Sequence, residues 1–297
     1  MPKDDVLVSV IVLTFNSSST VVETLDSIKE QTYSNIELII TDDGSSDATV
    51  DICRKWLALN GQLFCNHNLI TVTVNTGIPA NCNRALNASK GEWIKLIAGD
   101  DVLKKECIEI NIKCVSANGA IEILQTDADM YVDFFEDANF KSTIPTNFKE
   151  FFDLKEGKDQ YDFLKNVDYA LSTPSIFIKR KIIEKVGGFD ERFRLIEDFP
   201  LWLNLTKANI KFYYYPVTTV KYRSHDKSVS RDGKKYMNRK FAESSLFFLK
   251  TYFPKNERSY RIKRNIRQLK YFIILDDLGF NNNSKLSKLL YFVSSKI

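Results

Sequence analysis

The chain has 297 residues, 44% hydrophobic, 27% charged and 12% aromatic. That is too apolar for a disordered chain and long enough for one large α/β domain with additions or two modest domains. The formal net charge of +4 conceals an uneven spread: residues 234–297 hold 15 Lys and Arg against 4 Asp and Glu, which leaves 27 against 34 in residues 1–233. An acidic body with a basic tail points to two binding surfaces.

Taken in chain order, Val6 to Leu13 is a continuous apolar run, the mark of a strand buried on both faces. Val21, Val22, Leu25 and Ile28 recur at helical spacing, and Ile36 to Ile40 is a second buried strand. Asp47 to Leu59 reads as a helix with Asp47 able to cap it. Leu69 to Val74 reads as a third strand, Pro79 to Ser89 as a helix and Glu92 to Ala98 as a fourth strand. Such alternation predicts βαβ units on a mostly parallel sheet over residues 1–115. Further on, Ile121 to Gln125, Met130 to Phe135, Thr173 to Ile178, Lys211 to Tyr215 and Val217 to Tyr222 read as strands, and residues 137–160 as loop. Lys179 to Val186 and Pro200 onward read as helices. From Lys234 the pattern is helical, broken near Pro254 and at Asn281-Asn282-Asn283.

Other classes fall away on composition. Two histidines make a multi-His zinc site unpromising. The five cysteines are odd in number and form no CxxC pair, and the N-terminus lacks the plan of a signal peptide. No stretch supplies the roughly 20 apolar residues of a spanning helix. The expectation is a cytoplasmic protein with reduced thiols, soluble or peripheral at the inner face of the plasma membrane.

Open α/β sheets bind ligands beyond the carboxyl ends of their strands. Here the strand ends run into Thr14-Phe15-Asn16, Asp42-Asp43-Gly44-Ser45-Ser46-Asp47, Asn75-Thr76-Gly77 and Gly99-Asp100-Asp101. Neither a GxGxxG nor a GxxxxGK[ST] phosphate loop occurs. Paired carboxylates offer another route to a nucleotide, because they accept from a base N–H or hold Mg²⁺ or Mn²⁺ against a diphosphate.

These blocks, together with Lys90-Gly91-Glu92-Trp93-Ile94, Gly187-Gly188-Phe189-Asp190-Glu191 and Glu197-Asp198, resemble the family 2 glycosyltransferases in order and spacing from about residue 6 to about residue 230. The resemblance implies an inverting enzyme of the GT-A fold, a Rossmann-like and mostly parallel sheet flanked by helices. It implies a UDP-sugar donor, Mn²⁺ or Mg²⁺, and a glycan or polyprenyl-diphosphate-linked acceptor in bacterial surface-polysaccharide assembly. Residues 1–230 would form this domain, with a nucleotide-binding half over 1–115 and an acceptor half over 116–230. Residues 231–297 would be a basic helical appendage outside the family motifs.

The resemblance also assigns roles. Asp43 would accept from the uracil ring, with Thr14, Phe15 and Asn16 beside the base and Asn75 in the same donor site. Asp100 would contact the donor ribose or sugar, and Asp101 would ligate the cation. Ala98 stands where many relatives have a further acid, so the cation leans on fewer carboxylates. Asp198 would be the catalytic base, and Glu197 would raise its proton affinity or merely start a helix. Asn83 aligns with a donor-side asparagine. Arg84 reaches either the diphosphate or only a surface partner. His225, in the loop Tyr222 to Ser230, completes a sparse metal shell or is a plain loop residue. The basic tail packs on the core or docks on an anionic membrane, two compatible readings; nucleic acid fits no module in the chain. The rivals are a nucleotidyltransferase, which would want a basic loop where Thr14 to Thr20 has no Lys or Arg, and a binding protein without catalysis.

Overall fold

The computed structural model describes residues 6–145, 149–167, 171–225, 238–282 and 284–294. The expected domain boundary at 230/231, the start of the helical tail at Lys234 and the loop stretch Asp226 to Ser230 lie outside these residues. The first half alternates β1 (Val8–Thr14), α1 (Val21–Lys29), β2 (Ile36–Asp42), α2 (Thr49–Asn60), β3 (Asn66–Thr71), α3 (Ile78–Ala88) and β4 (Trp93–Ala98). A two-residue β5 (Val102–Leu103) and α4 (Cys107–Ala117) close it. The second half contains β6 (Ile123–Val132), β7 (Phe140–Ile144), α5 (Lys149–Asp153), α6 (Gly157–Asn166), β8 (Ile176–Lys179), α7 (Arg180–Lys185), α8 (Asp198–Lys207) and β9 (Phe212–Ser224). Three helices end the chain: α9 (Arg239–Tyr252), α10 (Tyr260–Asp277) and α11 (Lys285–Ser294).

One sheet runs through the molecule in the order β3-β2-β1-β4-β8-β6-β9-β5, with β7 on β6. Strands β3, β2, β1 and β4 are parallel, as are β6 and β9. β8 is antiparallel to both β4 and β6 and joins the two parallel groups. The apolar run of β1 now has its reason: Val8, Val10 and Val12 face a core shared with α1, α2 and α4, while Ile11 faces a second core shared with α3, α7 and α8. A strand that alternates between two cores has no solvated face.

Four local expectations need correction. β3 lies at Asn66–Thr71 rather than Leu69 to Val74. It is the sheet edge, and its exposed Asn66, His67 and Asn68 hide it from a hydropathy reading. Ile121 to Gln125 and Met130 to Phe135 are one strand, β6, because its polar middle is satisfied by partners distant in sequence. Thr126 Oγ1 lies 2.6 Å from Thr219 Oγ1, Asp127 accepts from the Tyr214 hydroxyl at 2.7 Å, and Asp129 accepts from Lys104 Nζ at 2.9 Å. Lys211 to Tyr215 and Val217 to Tyr222 likewise fuse into β9, where a register shift against β6 accommodates Pro216, which has no N–H to donate. The stretch 137–160 is not mainly loop but carries β7, α5 and the start of α6.

Candidate active site

The parallel register sets Thr14 beside Asp42 and Leu13 beside Ala98, so three strand ends open onto one edge of the sheet. Asp42 is buried and works as a turn former. Its Oδ1 accepts from Ser45 N at 2.8 Å and Gly44 N at 3.1 Å; its Oδ2 accepts from Thr14 Oγ1 at 2.8 Å and Ser45 Oγ at 2.5 Å. Gly44 sits at φ +80°, and a Cβ there would come within 2.9 Å of Asn75 N, so only glycine lets the second and third loops touch.

Asp43 is 3% exposed and accepts from Gly77 N at 2.8 Å, Thr76 N at 3.0 Å and Thr76 Oγ1 at 2.5 Å. Arg84 approaches it at 3.4 Å while donating to Thr76 Oγ1 and Asn81 Oδ1, both at 2.7 Å. Arg84 is thereby a partner of Asp43 rather than of a distant surface acid. Asn16 adopts φ +53°, takes Ser46 N on its Oδ1 at 2.9 Å and donates its own N–H to Ser45 Oγ at 2.7 Å. Phe15, 49% exposed, stands at the rim. Asp47 is exposed and, against a small desolvation cost, its carboxyl is held down at about 2 by the Thr49 hydroxyl, Thr49 N at 3.0 Å and Ser18 N at 3.2 Å; it ties two loops together before α2 rather than capping that helix, whose N-cap is Ala48.

Asp100 and Asp101 follow β4. Thr20 Oγ1 donates to Gly99 O and Thr24 Oγ1 to Asp101 O, both at 2.7 Å, which fixes the turn from the α1 side. Asp101 is 2% exposed and its Oδ1 accepts from Arg223 N at 2.8 Å. Burial and the neighbouring Asp100 push the Asp101 carboxyl well above its usual range. His225 Nε2 lies 2.9 Å from Asp100 Oδ2.

Arg223, two residues before His225, has a structural role that the sequence reading did not give it. Its buried guanidinium donates from Nε to Asp100 O at 2.8 Å, from Nη1 to Asp133 O and from Nη2 to Glu23, and it stacks on Phe135 at 4.1 Å. One side chain thus joins the Asp100–Asp101 turn to α1 and to the β6–β7 connection. Nothing local marks it: its partners lie 90 to 200 residues away in sequence.

The opposite wall is the segment that leads into α8. Asp198 opens that helix; its Oδ1 accepts from Phe199 N at 2.6 Å and its Oδ2 from Thr173 Oγ1 at 3.1 Å. Burial raises the Asp198 carboxyl above its ordinary range, and burial with the adjacent Asp198 charge pushes Glu197 up to about 8. Cys82, buried in α3, is pushed far up by its burial and by the charges of Glu197, Asp198 and Asp43 together. That shared field sets the strand-end acids and the α8 acids in one neighbourhood. The walls are also bolted together. Asn83 donates to Phe189 O and Glu191 Oε1 and accepts from Phe189 N, all at 2.8 Å. Arg194 donates to Asn75 O at 2.9 Å. Asn83 and Asn75 therefore join α3 and the loop after β3 to the segment that approaches α8.

No group of three or more His, Cys, Asp and Glu converges as a metal cage among the described residues. What the turn offers is a sparse set, the Asp100 carboxylate with His225 at 2.9 Å and the Asp101 carboxylate on the Arg223 backbone N–H. That set fits a cation whose remaining ligands come from a diphosphate.

The mostly parallel sheet flanked by helices is the GT-A fold, and solved glycosyltransferases share it. The Staphylococcus aureus TarS fragment 1–349, solved with UDP-GlcNAc, matches with a TM-score of 0.61 at 14% identity, over 97% of this chain and 79% of that one. The mannosyltransferase PcManGT of Pyrobaculum calidifontis, solved with GDP-Man and Mn²⁺, matches at 0.57 and 17% identity, over 97% and 73%. The model of glycosyl transferase family 2 matches residues 9–187, and the chain belongs to that family. Among curated relatives, the Escherichia coli UDP-Glc:alpha-D-GlcNAc-diphosphoundecaprenol beta-1,3-glucosyltransferase WfaP is 29% identical over 75% of this chain and 80% of its own length. The amylovoran biosynthesis glycosyltransferase AmsB of Erwinia amylovora is 25% identical over 70% and 66%. GlyG of Streptococcus pneumoniae is 35% identical, over 35% of this chain and 33% of its own length. Transfer of a sugar is the activity of the class. No helix among the described residues is long and apolar enough to cross a membrane.

Proposed function

We propose that the chain moves a sugar from a UDP-sugar to a hydroxyl of a glycan or polyprenyl-diphosphate-linked acceptor, with inversion, and that residues 234–297 contact the cytoplasmic face of a membrane. The observation that carries this reading is the joining of the two acid-bearing walls: Asn83 bonds Phe189 and Glu191, and Arg194 bonds Asn75, so the strand-end acids and the segment that opens α8 at Asp198 are held against each other.

In this reading Thr14, Phe15 and Asp43 frame the uracil ring, with Asn16 and Asn75 shaping the loops around it. Asp43 keeps Thr76 and Gly77 in place and offers its carboxylate edge to a ring N–H. Arg84, beside Asp43 and Thr76, would hold that carboxylate at the base end of the donor, and Asn83 positions the opposite wall. Asp198 takes the proton of the acceptor hydroxyl as its oxygen attacks the anomeric carbon from the face opposite UDP. One displacement inverts that carbon, so no covalent sugar–protein bond forms. A carboxyl with raised proton affinity is the better base for this step, and Thr173 holds it in orientation. Asp101, with Asp100 and His225, would hold Mn²⁺ or Mg²⁺, whose chemistry is to neutralise charge on the departing diphosphate. The acceptor class follows WfaP, whose name specifies a diphosphoundecaprenol-linked sugar.

A screen of UDP-sugars with Mn²⁺, read by UDP release with and without a lipid-diphosphate acceptor, tests the reading. One donor should stand out and the acceptor should accelerate release. UDP release from no donor would return the chain to a binding protein without catalysis.

A further inference from the structure

We propose that Gln125 is a positioning residue for sugar transfer: it clamps the turn at 172–175 whose Thr173 hydroxyl sets the direction of the Asp198 carboxylate. The proposal rests on the reading of Asp198 as the base and adds a residue that acts on it from the sheet.

The two carboxylate oxygens of Asp198 are held differently. Oδ1 accepts from Phe199 N, which belongs to the same helix, while Oδ2 accepts from Thr173 Oγ1 at 3.1 Å, 25 residues back in the chain. The second bond fixes the rotation of the carboxylate, so its aim depends on where Thr173 stands. Thr173 opens a single 3-10 turn, Thr173–Ser175, directly before β8. So short a turn has too few backbone hydrogen bonds of its own to be rigid. It closes on one oxygen: Ser172 O accepts from Ser175 N and from Ser175 Oγ, both at 2.9 Å.

β6 supplies the rest. Gln125 is fully buried, and its Nε2 donates to Ser175 Oγ, to Ser172 O at 3.3 Å and to Thr126 O at 2.8 Å. Thr126 Oγ1 donates to Ser175 O at 3.1 Å; with its one proton used there, Thr219 Oγ1, 2.6 Å away, is the donor to Thr126. Neighbouring side chains of a regular strand point to opposite faces. Here both reach one turn, and the register of β6 against β9 shifts between Gln125 and Asp127. A shift of that kind re-aims side chains.

Packing alone does not account for the amide. Gln125 Oε1 is buried with no hydrogen-bond partner among the described residues, as is Ser172 Oγ. An apolar side chain of the same length would fill the space without leaving an oxygen unpaired. What the amide adds is its NH₂, and the NH₂ is used on the turn that carries Thr173. A base that must come within hydrogen-bond reach of an acceptor hydroxyl is sensitive to small displacements: about 1 Å can lower a rate about a hundred-fold.

Gln125→Met keeps the length of the side chain and removes its donors. Measured by UDP release from the UDP-sugar that the screen above singles out, its kcat should fall about ten-fold, with KM for the UDP-sugar and UDP affinity within about two-fold of wild type. Thr173→Val should lower kcat about thirty-fold, and the double variant no further, because the two residues act in series. Full kcat in Gln125→Met, or a double variant that shows the product of the two losses, about 300-fold, overturns the proposal. So does a loss of UDP affinity in Gln125→Met, which would make the amide a support of the whole fold. Asp198→Asn separates the proposal from the reading beneath it. If that variant keeps wild-type kcat, the base assignment fails and the clamp with it. If it loses activity while Gln125→Met does not, the base stands and the clamp alone is wrong.

Discussion

The two walls of the site hold the same chemical groups under opposite conditions. On the strand-end wall, Asp42 and Asp43 are buried but surrounded by donors: four hydrogen bonds to Asp42, and Thr76, Gly77 and Arg84 around Asp43. On the α8 wall, Glu197 and Asp198 are half-buried side by side, with Phe199 N and Thr173 Oγ1 donating to Asp198 but no arginine or lysine among the described residues drawing either carboxyl down. Donors stabilise the ionised form, while burial without a counter-charge stabilises the protonated form. The first arrangement builds a rigid acceptor of hydrogen bonds, and the second a group ready to take a proton. The difference lies in the surroundings, because the side chains are alike.

The comparison can be broken experimentally, beginning with the largest effect. Asp198→Asn should lower kcat by about a thousand-fold while UDP affinity stays within a few-fold. Equal losses in kcat and in UDP binding would merge the two walls into one. Arg223→Ala should cost about 10- to 100-fold in activity and weaken Mn²⁺-dependent binding of UDP by a similar factor, because the Asp100–Asp101 turn loses its strut. Arg223→Lys should rescue little, since one ammonium cannot reach Asp100, Asp133 and Glu23 together. An unchanged titration of UDP against Mn²⁺ would leave Arg223 a purely structural residue.

Asp43→Asn should weaken UDP binding about ten-fold by calorimetry and lower stability, because an amide puts an NH₂ donor against one of the N–H groups of Thr76 and Gly77 that two carboxylate oxygens now accept from. The smallest effect concerns pH. Glu197 holds its proton more firmly in the fold, with its carboxyl at about 8 against an ordinary 4.5. The folded state then binds more protons than the unfolded chain. The stabilisation from that proton is complete below about 4.5 and is lost as pH rises through about 8. Stability should therefore decline over that window by on the order of 1 kcal/mol after solvent screening, read as a falling thermal midpoint, and Glu197→Gln should flatten the decline. An equal decline in the variant would place the titration elsewhere.

Much of the donor side was legible in the residues because it is local in the chain. Asp42-Asp43-Gly44-Ser45-Ser46 closes its own turn with hydrogen bonds two and three residues apart, and only glycine fits φ +80°. Asn83 was legible as a special residue but not in its contacts: its amide meets Phe189 and Glu191 more than a hundred residues away. Arg84 was left between two readings, and its contact with Asp43, across 41 residues of chain, is one that neither of them named. β3 was misplaced because an edge strand has no second core to advertise it, and β6 and β9 were each split because their polar residues are satisfied across the sheet.

The sequence by itself determined that acids would stand at the ends of parallel strands, since apolar runs bury themselves and the residues that follow must emerge at the sheet edge. It also determined that the tail is basic, because charge is a sum over residues. Only the tertiary structure decided which acids meet hydrogen-bond donors and which meet each other, and which side of α11 faces outward. Those outcomes depend on long-range contacts, and proton affinity and exposure are properties of surroundings that no local stretch of chain encodes.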